Sequence, residues 1–256
     1  MTILTIANHK GGTGKTATAR AMGDYISAAG YKVLLVDLDP QASLTMSCGY
    51  QKPVSPSMLE VFGGADPGER SIIEVIKPVA DRLDLAPSNY KMAGVDLNIA
   101  SRLSREYILK KALSKVTGYD LIILDCPPSM GLIVINAIVA SDGVLIPTQP
   151  TPVDITGVKR FIETVNAIQE ATNTSAKVMG VLPTFYDSRY NTHQAVLDAM
   201  RAADWPVTNT AIGRSVRVAE AAAVGQSILE YEPGNKRANE YQELSKEILT
   251  WLNKTT

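Results

Sequence analysis

The stretch His9-Lys10-Gly11-Gly12-Thr13-Gly14-Lys15-Thr16 decides how this chain is read. It follows an apolar run, Ile3 to Ala7, and precedes a helical pattern from Lys15 to Ala29. Glycines let the backbone curl so that successive N–H groups face one point, where a polyphosphate fits. The helix behind the loop adds the positive end of its dipole. In such a loop Lys15 reaches the β- and γ-phosphates and the Thr16 hydroxyl ligates magnesium. The usual pattern G-x-x-x-x-G-K-[ST] is broken at its first glycine, where His9 stands.

Outward from this loop, strand and helix patterns alternate. Val33 to Val36 is a short continuous apolar run, as a strand covered on both faces requires. Further strands are predicted at Leu83 to Ala86, Leu121 to Leu124, Val144 to Pro147, Val178 to Leu182 and near Val207. Helices are predicted over 104–116, 132–140, 154–172, 191–202, 215–223 and 235–252, the last with Tyr241, Leu244, Ile248, Trp251 and Leu252 on one stripe. This order predicts an α/β fold, a mostly parallel twisted sheet with helices on both faces, P-loop NTPase-like. Ligands of such sheets bind at the carboxyl ends of the strands. Gly63-Gly64 and Pro67-Gly68 read as one exposed loop and not as a linker, so residues 1–256 are expected to form a single domain.

Composition narrows the function classes. Twenty-five Lys and Arg against 26 Asp and Glu give a net charge of −1, which leaves neither a basic nucleic-acid tail nor an acidic one. Hydrophobic residues at 45% and charged residues at 20% suit a folded chain with a large core. Cys48 and Cys126 are too few for a disulfide framework, and the two histidines, His9 and His193, give no zinc pattern. The N-terminus lacks the basic start and long apolar core of an export signal. Apolar stretches such as Leu132 to Ala140 fall short of the ~20 residues a membrane helix requires. A cytosolic protein is expected.

The block Lys10 to Thr16, K-G-G-T-G-K-T, resembles the deviant Walker A motif of the ParA/MinD ATPases. Val33 to Gln41, ending Asp37-Leu38-Asp39-Pro40-Gln41, is similar to that family's second motif. Leu121 to Ser129, with Asp125-Cys126-Pro127-Pro128, resembles its Walker B strand and switch segment. Arg214 to Ala221 is similar to a stretch of chromosomal and plasmid ParA proteins, so the resemblance favours ParA and covers nearly the whole chain.

The resemblance implies a mechanism. Gly11, Gly12, Thr13, Gly14, Lys15 and Thr16 would wrap ATP. Lys10 would be the signature lysine that crosses a homodimer interface to the other subunit's nucleotide. Asp39 would orient or activate the attacking water. Magnesium would be held by Thr16 and Asp125, with Asp37 supporting it through water. Adenine would lie near Pro183-Thr184 and Ile212-Gly213-Arg214, and Pro152 and Asp154 would contact the partner's site. Each assignment has a plain structural alternative: a solvated loop lysine at Lys10, helix caps or turns at the aspartates, packing at the adenine positions.

Relatives of this kind hold DNA phosphates nonspecifically through arginines. From residue 181 onward, eight basic residues stand beside nine acidic ones, so DNA binding has to come from local clustering. Arg189, Arg214, Arg217, Lys236 and Arg237 are the candidates, set against ordinary surface charge. A ParB-type adaptor is implied as the stimulator of hydrolysis, and nucleoid association as the location. The segment that larger plasmid ParA proteins use for operator binding is not expected at the N-terminus. Three rivals stand beside this reading. A MinD-like membrane ATPase would end in a basic amphipathic helix, whereas Glu240, Glu243 and Glu247 accompany Lys246 and Lys254 here. A nitrogenase-reductase-like electron carrier would need cysteines at another spacing, and both cysteines suit a core. A small-molecule ligase of the same fold is the third.

Overall fold

β1 (Thr2–Ile6) feeds the phosphate loop, and α1 (Lys15–Ala28) returns along the sheet to β2 (Val33–Asp37). Then come α2 (Ser43–Ser47), α3 (Met58–Val61), α4 (Ile72–Val75), β3 (Lys77–Ala80), β4 (Leu83–Ala86), α5 (Val95–Ile99), α6 (Ile108–Leu113) and β5 (Leu121–Asp125). The second half holds α7 (Leu132–Ala140), β6 (Gly143–Thr148), α8 (Pro152–Thr172), β7 (Lys177–Tyr186) and α9 (Asn191–Ala202). It closes with β8 (Ile212–Gly213), α10 (Arg217–Ala223), α11 (Ile228–Tyr231) and α12 (Lys236–Thr255). This computed structural model describes residues 1–51, 53–63 and 70–255, without the side chains of 252–255. Gly64, Pro67 and Gly68 of the expected loop, Leu252 of the terminal stripe and the Lys254 side chain lie outside that description.

Among the described residues the sheet has eight strands in the order β3-β4-β2-β5-β1-β6-β7-β8. Every pairing is parallel except β3 with β4. β2 and β5 are buried throughout, as strands covered on both faces must be. Their side chains divide by the two-residue period of a strand. Leu34, Val36, Ile122 and Leu124 join the core beneath α7 and α8, while Val33, Leu35, Leu121 and Ile123 join the core beneath α1 and α12. Burial at about 1.5–3 kcal/mol per large apolar side chain is what holds the layers together. The apolar stripe of α12 lies in that second core, with Tyr241, Leu244 and Ile248 buried.

Two of the expected elements take another form. Val207 makes only an isolated bridge to Val181, because the preceding Pro206 offers a carbonyl and no N–H, and the edge strand forms later at Ile212–Gly213. The helix expected over 104–116 is a 3-10 turn at Arg105–Tyr107 running into α6. Asn136 of α7 fixes that junction, its Oδ1 accepting from Leu109 N at 3.0 Å and its Nδ2 donating to Arg105 O at 2.8 Å. Among the described residues no helix is long and apolar enough to cross a membrane.

Candidate functional site

β1 ends between β5 and β6, so the loop that follows it opens at the carboxyl edge near the middle of the sheet. Asn8 ties the loop entrance down: its Nδ2 donates to Pro147 O at 2.8 Å and its Oδ1 accepts from Lys10 N at 3.1 Å. Gly12 and Gly14 have φ of 69° and 87°, left-handed values that would strain a residue with a Cβ. Gly14 caps α1 without a side-chain hydrogen bond, and the first turn holds no acidic residue. The helix therefore presents unpaired N–H groups and an uncompensated positive dipole to the loop. That is an anion site.

Lys15 is only 6% exposed, and its Nζ donates to the Lys10 carbonyl at 3.0 Å. Burial pushes the ammonium below the usual lysine range, opposed by Asp125 and then by Cys126 and Asp39. The two aspartates expected to serve magnesium are neighbours, because the parallel register of β2 and β5 pairs Asp37 with Asp125. Asp125 is fully buried, and neither carboxylate oxygen has a hydrogen-bond partner. Burial, then Asp37, push its carboxyl well above the usual range, while Thr16 and Lys15 pull it back. Two orphaned oxygens beneath a phosphate loop, with a threonine hydroxyl near, are the donor set a hydrated magnesium ion takes.

Asp37 is differently occupied. Its Oδ1 accepts from Asp39 N at 3.1 Å, and its Oδ2 accepts from Thr45 N and Thr45 Oγ1 at 2.8 and 2.7 Å. It holds the turn that aims Asp39, and burial raises its carboxyl to about 6 against those hydrogen bonds. Asp39 lines the open cleft. Thr45 carries no motif that sequence reasoning singles out, yet it is what fixes Asp37.

Lys10 points away from the loop. Its Nζ is 2.7 Å from Asp154 Oδ1 on α8, the lysine side chain 43% exposed and the aspartate 5%. The other oxygen, Asp154 Oδ2, accepts from the N-cap hydroxyl of Thr151 at 2.6 Å. His9 rests on the same helix, with its ring over Gly157 and stacked on Phe161 at 6.4 Å between centroids. The residue in place of the usual first glycine thus docks the loop on α8. Asp154 was expected at a partner's site, and here it meets Lys10 of its own chain.

The cleft beyond the loop has a volume of about 450 Å³. The loop lines it with Gly11, Gly12, Thr13, Gly14, Lys15 and Thr16, and β7, β8 and the chain beyond them with Thr184, Phe185, Ile212, Gly213 and Ser215, Thr184 lying against Gly14. Phe185 has a left-handed φ of 53°, at the irregularity where β7 pairs with β8. Of the residues expected near adenine, Thr184 and Ile212 face the cleft. Pro183 is buried inside β7, opposite Thr148 of β6, and Arg214 is exposed outside the lining. The cleft also runs along α1 past Ala17, Arg20 and Ala21, which no motif marks.

The five basic candidates for DNA are unequally placed. Arg189, Arg214, Arg217 and Lys236 are exposed. Arg189 pairs with Asp187 at 2.6 Å, and Arg217 pairs with Glu220 at 2.8 Å and Glu232 at 3.6 Å. Arg237 is only 12% exposed and pairs with Glu240 at 3.0 Å, packed over Gly213. Its guanidinium faces the protein more than the solvent.

A family model described as AAA domain matches residues 1–178. The chain is 37% identical over 250 residues to the sporulation initiation inhibitor protein Soj of Bacillus subtilis (strain 168), covering 96% of this chain and 97% of that protein. It is 32% identical over 251 residues to the chromosome partitioning protein ParA of Myxococcus xanthus (strain DK1622), covering 96% and 87%. Among solved structures, cobyrinic acid a,c-diamide synthase from Mycobacterium smegmatis with bound ATP analog and magnesium superposes with a TM-score of 0.82. It is 33% identical, with 97% of this chain and 94% of that one covered.

Proposed function

The chain belongs to the ParA/Soj family of partition ATPases, and from that premise we propose how its site works. Residues 1–256 act as one ATPase unit in the cytoplasm. ATP lies along the cleft with its phosphates in the loop between Gly11 and Thr16, Lys15 on the β- and γ-phosphates, and adenine toward Thr184 and Ile212. Thr16 and Asp125 hold magnesium, with Asp37 behind them. Magnesium, when bound, neutralises phosphate charge as a Lewis acid. Asp39, aimed by the Asp37–Thr45 bonds, orients the attacking water. The observation that carries this reading is Asp125: a buried carboxylate with two unpartnered oxygens beneath an uncapped helix start and a buried lysine.

With ATP bound, two chains pair, and Lys10 leaves Asp154 to reach the other subunit's triphosphate. A second cation at the γ-phosphate makes ATP, more than ADP, the glue of the dimer. The dimer holds DNA through phosphate contacts from Arg189, Arg214, Arg217 and Lys236 of both subunits. Arg237 contributes less, since it is packed on Gly213. A ParB-type adaptor speeds hydrolysis, the dimer parts, and DNA is released; repeated on a nucleoid, this cycle moves plasmid, chromosome or other cargo.

The α12 stripe is packed in the core on α1, which favours DNA over a bilayer as the surface held, against the MinD-like alternative. The named synthase neighbour gives a small-molecule ligase one observation in its favour. Fluorescence anisotropy on a duplex of arbitrary sequence separates the readings. ATP-dependent binding is expected, with a log-affinity against log-salt slope of about −7 for four contacts per subunit. Equal binding with ATP and ADP, or none, contradicts the proposal.

A further inference from the structure

β8 is two residues long and lies at the edge of the sheet, yet it forms part of the cleft wall. An edge strand leaves backbone N–H groups without a ladder partner. Two carboxylates of α12, two helical turns apart and so on one face, take that place. Glu240 Oε2 accepts from Gly213 N at 2.8 Å. Glu247 accepts from Asn209 N at 2.9 Å and from Thr210 N at 3.2 Å. Glu240 is only 19% exposed, and its other oxygen holds Arg237 at 3.0 Å. The guanidinium of Arg237 occupies the space that a Cβ on residue 213 would need. Gly213 is therefore gripped twice, at its N–H by a carboxylate and at its α-carbon by a planar cation. The same helix is packed on α1, whose first residue is Lys15 of the phosphate loop. One element thus contacts both α1, which follows the phosphate loop, and β8.

We propose that Glu240 and Arg237 are positioning residues for the nucleoside: together they hold β8 so that Ile212 and Gly213 shape the base-side wall, without touching the nucleotide. This rests on the reading that places adenine toward Thr184 and Ile212. It assigns Arg237 a task that its exposed neighbours Arg214 and Lys236 do not share. A loosened β8 weakens interactions with base and ribose. The loop between Gly11 and Thr16 keeps its own supports at Asn8 and Gly14, so phosphate binding stays as it is.

The test is calorimetric titration of the full chain with ADP and, separately, with inorganic tripolyphosphate. Glu240→Ala is expected to weaken ADP about tenfold, as loss of a charge-assisted hydrogen bond does, with tripolyphosphate unchanged. Glu240→Gln is expected to fall between, because its amide oxygen still accepts from Gly213 while the charge facing Arg237 is gone. Should Glu240→Ala not fold, Arg237→Lys keeps the charge and loses the planar group over Gly213, and a several-fold loss for ADP alone is expected. ADP and tripolyphosphate weakened alike overturn the inference, since that is general destabilisation. Wild-type binding of ADP with variants indistinguishable from it overturns this inference and leaves the ATPase reading standing. A wild-type chain that takes tripolyphosphate but not ADP overturns both.

Discussion

Replacing Asp154 by asparagine removes the anion that holds Lys10 in its own subunit while keeping an acceptor for Thr151. The pair spans 2.7 Å with the aspartate buried and the lysine nearly half in solvent, so screening limits it to about 1 kcal/mol. Both subunits must give up this contact before each lysine can reach across, which sets about 2 kcal/mol against dimer formation. Asp154→Asn is therefore expected to tighten the ATP-dependent dimer about 30-fold. The dissociation constant is read by resonance transfer between labelled subunits, in an Asp39→Ala background that blocks turnover. The gain is expected to shrink as salt rises, because the ion pair in the wild type is itself screened. An unchanged dimer would show that the ion pair does not restrain Lys10, and a weaker one would mean that Asp154 serves the partner's site instead.

Other consequences follow from the same geometry. Lys15→Ala removes the buried cation of the loop and is expected to abolish ATP binding in calorimetry, while Asp39→Ala is expected to bind ATP and hydrolyse it slowly; normal phosphate release by the second variant would reject its assignment. Asp24 ion-pairs with Arg20, but burial outweighs that cation and raises its carboxyl from 3.8 to about 7. The folded chain thus keeps a proton that the unfolded chain loses, so this group's contribution to stability declines as pH rises from about 4 to about 7. Asp24→Asn is expected to flatten the dependence of Tm on pH over that window. Arg214→Ala is expected to make the salt slope of DNA binding shallower by about 2, one contact from each subunit.

Local chemistry makes much of this molecule legible in its sequence. Runs of branched apolar residues ending in Asp37 and Asp125 have to be strands covered on both faces, and their parallel pairing brings the two aspartates side by side. The glycine pattern from Gly11 to Gly14 has to be a tight loop, and Leu132–Ala140, apolar but for Asn136, has to be a buried helix. What depends on distant partners was not readable. Lys10 and Asp154 are 144 positions apart, and nothing near either announces the other. β3, the antiparallel partner of the expected strand at Leu83–Ala86, is missed because Lys77–Ala80 alternates half-buried and exposed positions and contains a proline. Glu240 and Glu247 look like solvated acids of a surface helix; only the edge position of β8 turns them into backbone partners. The charge of Arg237 suggests a phosphate, and only the fold reveals that the side chain also packs over Gly213.

Everything in this cycle turns on two chains pairing around ATP with Lys10 crossing the seam. Sedimentation velocity of the Asp39→Ala chain, run with excess ATP and again with excess ADP, tests it most directly. The expected result is a dimer with ATP, a monomer with ADP, and a monomer under both conditions once Lys10→Ala is added. A chain that sediments as a monomer with ATP, or a dimer that forms equally well without Lys10, contradicts it.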